Sequence, residues 1–96
     1  PLFKSQVSGG LSDIAAVYRD YYKSGLVHFV DDASEGSFLS AAAMSGRDDM
    51  QVTVCGNDER ILLVSRFDNL GKGASGAAIQ NMNIVLGIDE STGLEV

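Results

Sequence analysis

Several residue types are scarce in this sequence. Its 96 residues include one cysteine, one proline and no tryptophan, and only seven basic side chains against thirteen acidic ones. The single thiol, Cys55, cannot form an internal disulfide, which favours a reducing compartment. The net charge of −6 and the scattered basic residues disfavour nucleic acid and anionic membranes as partners. No apolar run approaches the about 18 residues that read as a membrane-spanning helix. We therefore expect a cytoplasmic protein that binds neither nucleic acid nor membrane.

The length allows one domain with one modest core. A chain of this size buries roughly 65% of the surface that it exposes when unfolded. The sequence begins at Pro1 rather than at a methionine, and no signal peptide opens it. We therefore expect a processed chain, an engineered chain or a fragment.

Two segments with apolar side chains at helical spacing predict helices at residues 12–23 and 74–86. The first has Ser12 as a candidate N-cap, and Gly25 suits the position after the last turn. The second ends at Gly87 for the same reason. The expected buried faces are Leu11, Ile14, Ala15, Tyr18, Tyr21 and Tyr22 in the first helix, and Ala78, Met82, Val85 and Leu86 in the second.

Three β-rich runs predict strands at residues 26–30, 50–55 and 60–67. The turn sequence 56–59 joins the last two runs into an antiparallel hairpin. The centre of the last strand, residues 61–64, is apolar on both faces, so we expect it to be covered on both sides. Residues 32–49 and 88–96 show no clear pattern. The whole pattern predicts an α+β fold with an antiparallel sheet and two helices.

Gly71, Gly73 and Gly76 form a G-x-G-x-x-G pattern after a strand and at the start of a helix, as in dinucleotide-binding folds. That motif works inside a βαβ unit with a second parallel strand, but only nine residues follow Gly87. A Rossmann fold is therefore disfavoured. A glycine inside a helix costs about 1 kcal/mol relative to alanine. The glycines must therefore allow close packing, or the approach of a ligand to the helix N-terminus.

The segment 68–83, DNLGKGASGAAIQNMN, resembles the closing segment of N-acetyl-gamma-glutamyl-phosphate reductases, in the shorter bacterial branch that has Gly71 and Ser75. The match continues through residues 86–90 and 92–94. The resemblance is strong over residues 66–94, fair over 1–30 and 50–65, and poor over 31–49. Aspartate-semialdehyde dehydrogenases carry a similar run at residues 68–74. A fragment of such an enzyme, or a stand-alone binding or dimerisation module, therefore remains an alternative.

The resemblance implies the architecture of glyceraldehyde-3-phosphate dehydrogenase-like reductases. Residues 1–67 would belong to the α+β catalytic and dimerisation domain. Residues 68–96 would form a helix and tail that pack back on an upstream Rossmann domain. Unless another copy of the chain covers it, the small-residue face of that helix should then be exposed here: Gly73, Ser75, Gly76 and Ala77.

The implied activity is the NADPH-dependent reduction of N-acetyl-glutamyl 5-phosphate to N-acetyl-glutamate 5-semialdehyde in arginine biosynthesis, by a homo-oligomer. In the family a cysteine thiolate forms a thioester, helped by a basic histidine. The chain contains neither of the family's motifs for these residues. Cys55 and His28 are therefore interpreted as ordinary strand residues. We assign no catalytic residue and no metal ligand to this chain, and we expect it to be inactive alone.

The resemblance implies NADP-binding residues at Asn69, Gly71, Lys72 and Gly73. Asn69 matches the family position that approaches the nicotinamide carboxamide, and the other three match the surrounding loop. From the residues alone, Asn69 could instead cap the next helix, and Lys72 could be a solvated charge.

Residues 45–49 depart from the Thr-Asn-Arg pattern of this region of the family. Arg47 is interpreted as a surface charge, with contact to a substrate phosphate as the alternative.

Overall fold

The predicted hairpin forms the centre of the sheet. In the computed structural model, which describes residues 1–23 and 25–96, strand β3 (Met50–Gly56) pairs antiparallel with strand β4 (Arg60–Phe67). The register runs from Met50 opposite Phe67 to Gly56 opposite Ile61. Asn57 closes the turn, because its Oδ1 accepts the N–H groups of residues 59 and 60 at 3.0 Å. Val52, Val54 and Ile61 are buried and form the centre of the core.

The sheet has four strands in the order β1–β4–β3–β2, with β1 at Leu2–Phe3 and β2 at Val27–Phe29. Strand β1 pairs antiparallel with β4, whereas β2 pairs parallel with β3. The α+β class with two helices is confirmed, but the prediction of an antiparallel sheet is wrong. The 20 residues between β2 and β3 are long enough for the crossover that a parallel pair requires. Strand β1 lies in a segment where we predicted no strand.

The first helix, α1, runs from Leu11 to Tyr21 and packs against β2 and β3. Its N-terminus is not capped by Ser12 as predicted. Asp13 accepts the N–H of Gly10 at 2.8 Å, and Asp58, in the hairpin turn, accepts the N–H of the first helical residue at 2.8 Å. These carboxylates satisfy N–H groups that have no partner inside the helix. The helix end is therefore fixed by a residue distant in sequence.

Two predictions about burial are corrected. Leu62 is 44% exposed although Ile61 next to it is fully buried, so the centre of β4 is not covered on both sides. Tyr21 is 80% exposed, so the apolar face of α1 is narrower than predicted. The segment 32–49, which showed no pattern, contributes buried Ala33 and Met44 to the core.

The second helix, α2, runs from Gly76 to Leu86 and follows a π-helical turn at Gly71–Ser75. It ends at Gly87 with φ +71°, as predicted. Its buried residues are Gly76 and Asn83, while the predicted apolar face, including Met82, is exposed. Within the parts of the chain that the structure describes, no helix is long and apolar enough to cross a membrane.

Candidate functional site

Asp68 organises the loop between β4 and the π-helical turn. Its carboxylate accepts three backbone N–H groups, from Gly46 at 2.6 Å, Leu70 at 2.7 Å and Gly71 at 3.0 Å. These hydrogen bonds, with that of Gly46 contributing most, lower the pKa of Asp68 below its ordinary value. The carboxylate also places a negative charge at the positive end of the following helix. One side chain therefore anchors both the start of the π-helical turn and the segment that contains Gly46.

The turn that follows the loop is wider than an α-helical turn. The N–H of Gly73 donates to the carbonyl of Asp68 at 2.9 Å, and the N–H of Ser75 donates to the carbonyl of Leu70 at 3.0 Å. Both bonds span five residues, and the Ser75 hydroxyl donates to the same Leu70 carbonyl at 2.7 Å. π-helical turns are rare and occur frequently at functional sites. The start of α2 therefore has the local geometry that often accompanies a ligand-facing loop.

Asn69 is exposed at the outside of this loop. No hydrogen bond within residues 1–23 and 25–96 involves its side chain, and no side chain caps the π-helical turn at its N-cap. Asn69 therefore does not cap the next helix, and its neighbour Asp68 accepts the N–H groups of Leu70 and Gly71. The amide of Asn69 therefore remains available to a ligand, and its contact with a nicotinamide stays a prediction.

Lys72 is half-buried rather than solvated. Its Nζ donates to Oε1 of Gln80, and Nε2 of Gln80 donates to Oε2 of Glu90 at 2.8 Å. This chain of contacts ties the π-helical turn to the C-terminal tail. An ammonium group has three donors, so one bond to Gln80 leaves donors for a further acceptor.

The glycines of the G-x-G-x-x-G pattern accommodate neighbours within the same chain. A β-carbon at Gly71 would collide with the carbonyl oxygen of Arg47, and one at Gly76 would collide with Oδ1 of Asp48. A β-carbon at Gly73 would lie 3.1 Å from the ring of Phe67. Gly71 and Gly76 therefore reflect close packing of the π-helical turn and the start of α2 on residues 47–48, whereas Gly73 lies close to Phe67.

This packing corrects one expectation about the face of α2. Gly73 and Ser75 are exposed as predicted, but Gly76 is buried and Ala77 is half-buried. Asp48 lies against Gly76, so its small size does not require another domain.

The same packing decides which part of a dinucleotide fits here. The carboxylate of Asp48 lies against Gly71 and Gly76 at the start of α2, where an anion would otherwise meet the helix N-terminus. A pyrophosphate at that position would be repelled by the carboxylate. The exposed side formed by Asn69 and Gly73 carries no such charge. The start of α2 therefore does not fit the phosphates of a cofactor.

Arg47 is bound within its own loop. Its Nε and Nη2 donate to Oδ1 and Oδ2 of Asp49 at 2.7 and 2.9 Å, and the Asp49 side chain is only 4% exposed. The pair lowers the pKa of Asp49 and raises that of Arg47. The Nε–Nη2 edge of the guanidinium, which would bind a phosphate through two hydrogen bonds, is therefore already bound to Asp49. Nδ1 of His28 lies 3.6 Å from the same carboxylate, so His28 belongs to a structural cluster.

Cys55 lies far from this loop. It pairs with Leu62 in the sheet, whereas His28 pairs with Gln51, four positions away along β3. At about 3.3 Å per residue the thiol is roughly 13 Å from the histidine. A nucleophilic thiol needs a base within hydrogen-bond reach. The geometry therefore agrees with Cys55 as an ordinary strand residue.

No family model matches the chain. It is 58% identical over 62 residues to N-acetyl-gamma-glutamyl-phosphate reductase 2 of Nostoc sp., a match that covers 62% of this chain and 19% of the relative. It is 45% identical over 87 residues to the N-acetyl-gamma-glutamyl-phosphate reductase of Geotalea daltonii, covering 88% and 25%. It is 40% identical over 96 residues to that of Methanosphaera stadtmanae, covering 98% and 27%.

The chain is homologous to the C-terminal part of N-acetyl-gamma-glutamyl-phosphate reductases. The predicted resemblance is thereby confirmed. The chain spans about a quarter or less of the length of the Nostoc and Geotalea reductases, and 27% of the Methanosphaera one. The mixed sheet with two helices is consistent with the C-terminal domain of a dehydrogenase-like reductase.

Proposed function

We propose that the chain is the part of an NADPH-dependent reductase that presents loop 68–73 to the nicotinamide. The whole protein would be a cytoplasmic homo-oligomer that reduces N-acetyl-glutamyl 5-phosphate to the 5-semialdehyde in arginine biosynthesis. The observation that carries the proposal is Asn69. Its amide is exposed and makes no hydrogen bond with residues 1–23 or 25–96, on a loop whose backbone is held by Asp68. A rigid loop with one free amide is suited to orienting a ligand.

The loop residues would divide this task between them. Asn69 offers one amide acceptor and two donors, which complement a carboxamide that offers the same set. Asp68 fixes the backbone on both sides of Asn69, so that the position from which its side chain extends is set before the ligand arrives. Gly73 keeps the turn compact, because a β-carbon there would lie 3.1 Å from the ring of Phe67. NADPH, when bound, supplies the hydride.

The exposed side of α2 supports a position against another domain. Met82 is 53% exposed, Leu86 63% and Val85 85%. Apolar surface of this kind is stabilised by burial at about 25 cal/mol per Å². We therefore place residues 68–96 against an upstream nucleotide-binding domain and residues 1–67 in the catalytic and dimerisation domain.

Steady-state kinetics of the full-length protein test the activity. We expect NADPH oxidation with N-acetyl-glutamyl 5-phosphate and little with aspartyl phosphate. A preference for aspartyl phosphate would favour the aspartate-semialdehyde dehydrogenase alternative, and no oxidation with either compound would contradict the reductase proposal.

Calorimetry of the 96-residue chain alone should show no NADPH binding. Micromolar binding by that chain would contradict the division of roles between domains.

A substitution tests the loop itself. Asn69→Ala in the full-length protein should raise the KM for NADPH about tenfold, which is the loss of about 1.4 kcal/mol of binding. Asn81→Ala removes the same exposed amide from α2 and should leave that KM unchanged. Equal effects of the two variants would show that Asn69 has no particular role in cofactor binding.

A further inference from the structure

Asp48 contacts both the C-terminal tail and the start of α2. Its N–H donates to the carbonyl of Glu95 at 2.7 Å, and the N–H of Glu95 donates to Oδ2 of Asp48 at 3.0 Å. The other carboxylate oxygen, Oδ1, faces the start of α2. It lies 2.9 Å from the position of a β-carbon at Gly71 and closer still to one at Gly76. Asp48 therefore sits as a wedge between the C-terminal tail and the start of α2.

The residues on both sides of Asp48 are also anchored. The N–H of Gly46 donates to Asp68 at 2.6 Å, so the loop that carries Asn69 is bound to the same segment. Asp49, which is held by Arg47, leads directly into β3. Residues 46–49 thus form a second link between loop 68–73 and the hairpin, besides the direct continuation of β4 into residue 68.

We propose that Asp48 is a positioning residue for the cofactor-facing loop. Its carboxylate fills the space between Gly71 and Gly76, and its two hydrogen bonds to Glu95 hold it there. This wedge sets the direction in which the π-helical turn, and Asn69 before it, face the nicotinamide. Asp48 itself touches neither cofactor nor substrate. The inference rests on the proposed cofactor role of the loop.

Kinetics of full-length variants test the positioning role. Asp48→Ala removes the carboxylate that fills the space beside Gly76, so the KM for NADPH should rise about tenfold while kcat changes less. This effect is smaller than the about 100-fold loss of rate that a 1 Å misplacement can cause. Asp48→Asn keeps the shape and the acceptor for Glu95, so it should restore the KM to within about twofold of the original value. If the alanine variant does not fold, Asp48→Ser serves instead, because it keeps an acceptor but leaves the space beside Gly76 empty.

Asp58 provides the matched control. It also accepts a backbone N–H at a helix start, that of Leu11 at 2.8 Å, but it lies in the hairpin turn at the opposite end of β4 from loop 68–73. Asp58→Ala should lower the melting temperature and leave the KM for NADPH unchanged. An unchanged KM in Asp48→Ala, or an equal rise in both alanine variants, would overturn the positioning role.

A double-mutant cycle tests the wedge without any enzyme activity. Gly76→Ala should destabilise the 96-residue chain, because the added methyl group meets Oδ1 of Asp48. The same substitution should destabilise it less when Asp48→Ala has removed that oxygen. If the two substitutions have additive effects on the free energy of unfolding in urea, the contact between Asp48 and Gly76 is contradicted, even if the full-length protein is an active reductase. Coupled effects in a protein without reductase activity would instead support the wedge and contradict the proposed function.

Discussion

The β3–β4 hairpin and helix α2 use their apolar side chains in opposite ways. The hairpin buries Val52, Val54 and Ile61, and these residues form the centre of the core. Helix α2 buries one glycine and one asparagine, and four of its five large apolar side chains are exposed, while Ile79 is half-buried. Both segments have the sequence pattern of a half-buried element. Within residues 1–23 and 25–96, the hairpin has its apolar face covered and α2 leaves most of its apolar face exposed.

Several polar contacts tie α2 to the rest of the described chain. Asn83 binds the tail, Lys72 reaches the tail through Gln80, and Asp48 fills the space at the helix start. Each of these contacts fixes position but buries little apolar surface. The exposed apolar face of α2 is then free to pack on another domain, as proposed above.

The largest difference in stability between the two regions should be seen when one isoleucine in each is replaced by alanine. Ile61→Ala removes a fully buried side chain from the hairpin and should destabilise the chain by about 3 kcal/mol, because a cavity remains. Ile84→Ala makes the same change at a residue that is 55% exposed in α2 and should change stability by less than about 0.5 kcal/mol. Urea unfolding of both variants measures the difference. Similar losses would mean that α2 packs on the hairpin in solution.

A smaller effect is expected from the polar anchor of α2. Asn83 is 2% exposed, and its Nδ2 donates to the carbonyls of Glu90 at 3.1 Å and Thr92 at 2.9 Å. Asn83→Ala leaves both carbonyls without this donor and should destabilise the chain by about 2 kcal/mol. Hydrogen exchange should also accelerate in residues 88–93. Asn81→Ala, on the exposed side of the same helix, is the control, and an equal loss there would contradict a specific anchor.

One buried side chain of the hairpin, Arg66, has a hydrogen-bond donor that is not satisfied within the described residues. Its Nη2 donates to Oε1 of Gln51 at 2.8 Å, but its buried Nε has no acceptor within the described residues. Gln51→Glu would offer two oxygens to the two donors and should stabilise the chain by about 1 kcal/mol at neutral pH, after the desolvation of the new charge. Asn81→Asp adds the same charge at an exposed site and should give no such gain. A loss of stability in Gln51→Glu would show that desolvation outweighs the new contact.

Local patterns in the sequence predicted the hairpin and both helices well. Alternation at residues 50–55, the turn residues after it, and Gly87 each act within a few positions of the chain. The left-handed conformation that ends the last helical turn favours glycine, for example, so Gly87 marks the end of α2. Such features depend on neighbours in sequence, which a single sequence displays directly.

Features that depend on distant residues were missed. The parallel direction of β2, the pairing of β1 with β4, and the cap that Asp58 gives to α1 all join segments far apart in the chain. At the candidate site, the glycines were noticed, but their neighbour Asp48 was not identified. The excess of glycine at the start of α2 was the available signal for a close contact. Nothing in the pattern indicated which segment makes that contact.

The smallest expected effect concerns Asp49, which lies between the wedge residue and the hairpin. The bond from Arg47 lowers the pKa of Asp49, so the carboxylate stabilises the fold above its unfolded pKa of about 3.9, and this contribution is lost as the pH falls through the folded value. Solvent screening limits the effect, because the Arg47 side chain is 47% exposed. The stability advantage of the original chain over Asp49→Asn should therefore shrink between about pH 6 and about pH 3 in urea unfolding.

The exposed Asp20 supplies the control for this comparison, since Asp20→Asn changes the same functional group where the side chain is 79% exposed. A constant difference between the original chain and Asp49→Asn across that pH range would show that the Arg47–Asp49 pair does not stabilise the folded state. A difference that shrinks only for Asp49→Asn would place the acid sensitivity at residues 47–49, where the hairpin meets α2. The hairpin core, which depends on apolar burial, should then keep its dependence on Ile61 at both pH values, because that contribution involves no titrating group.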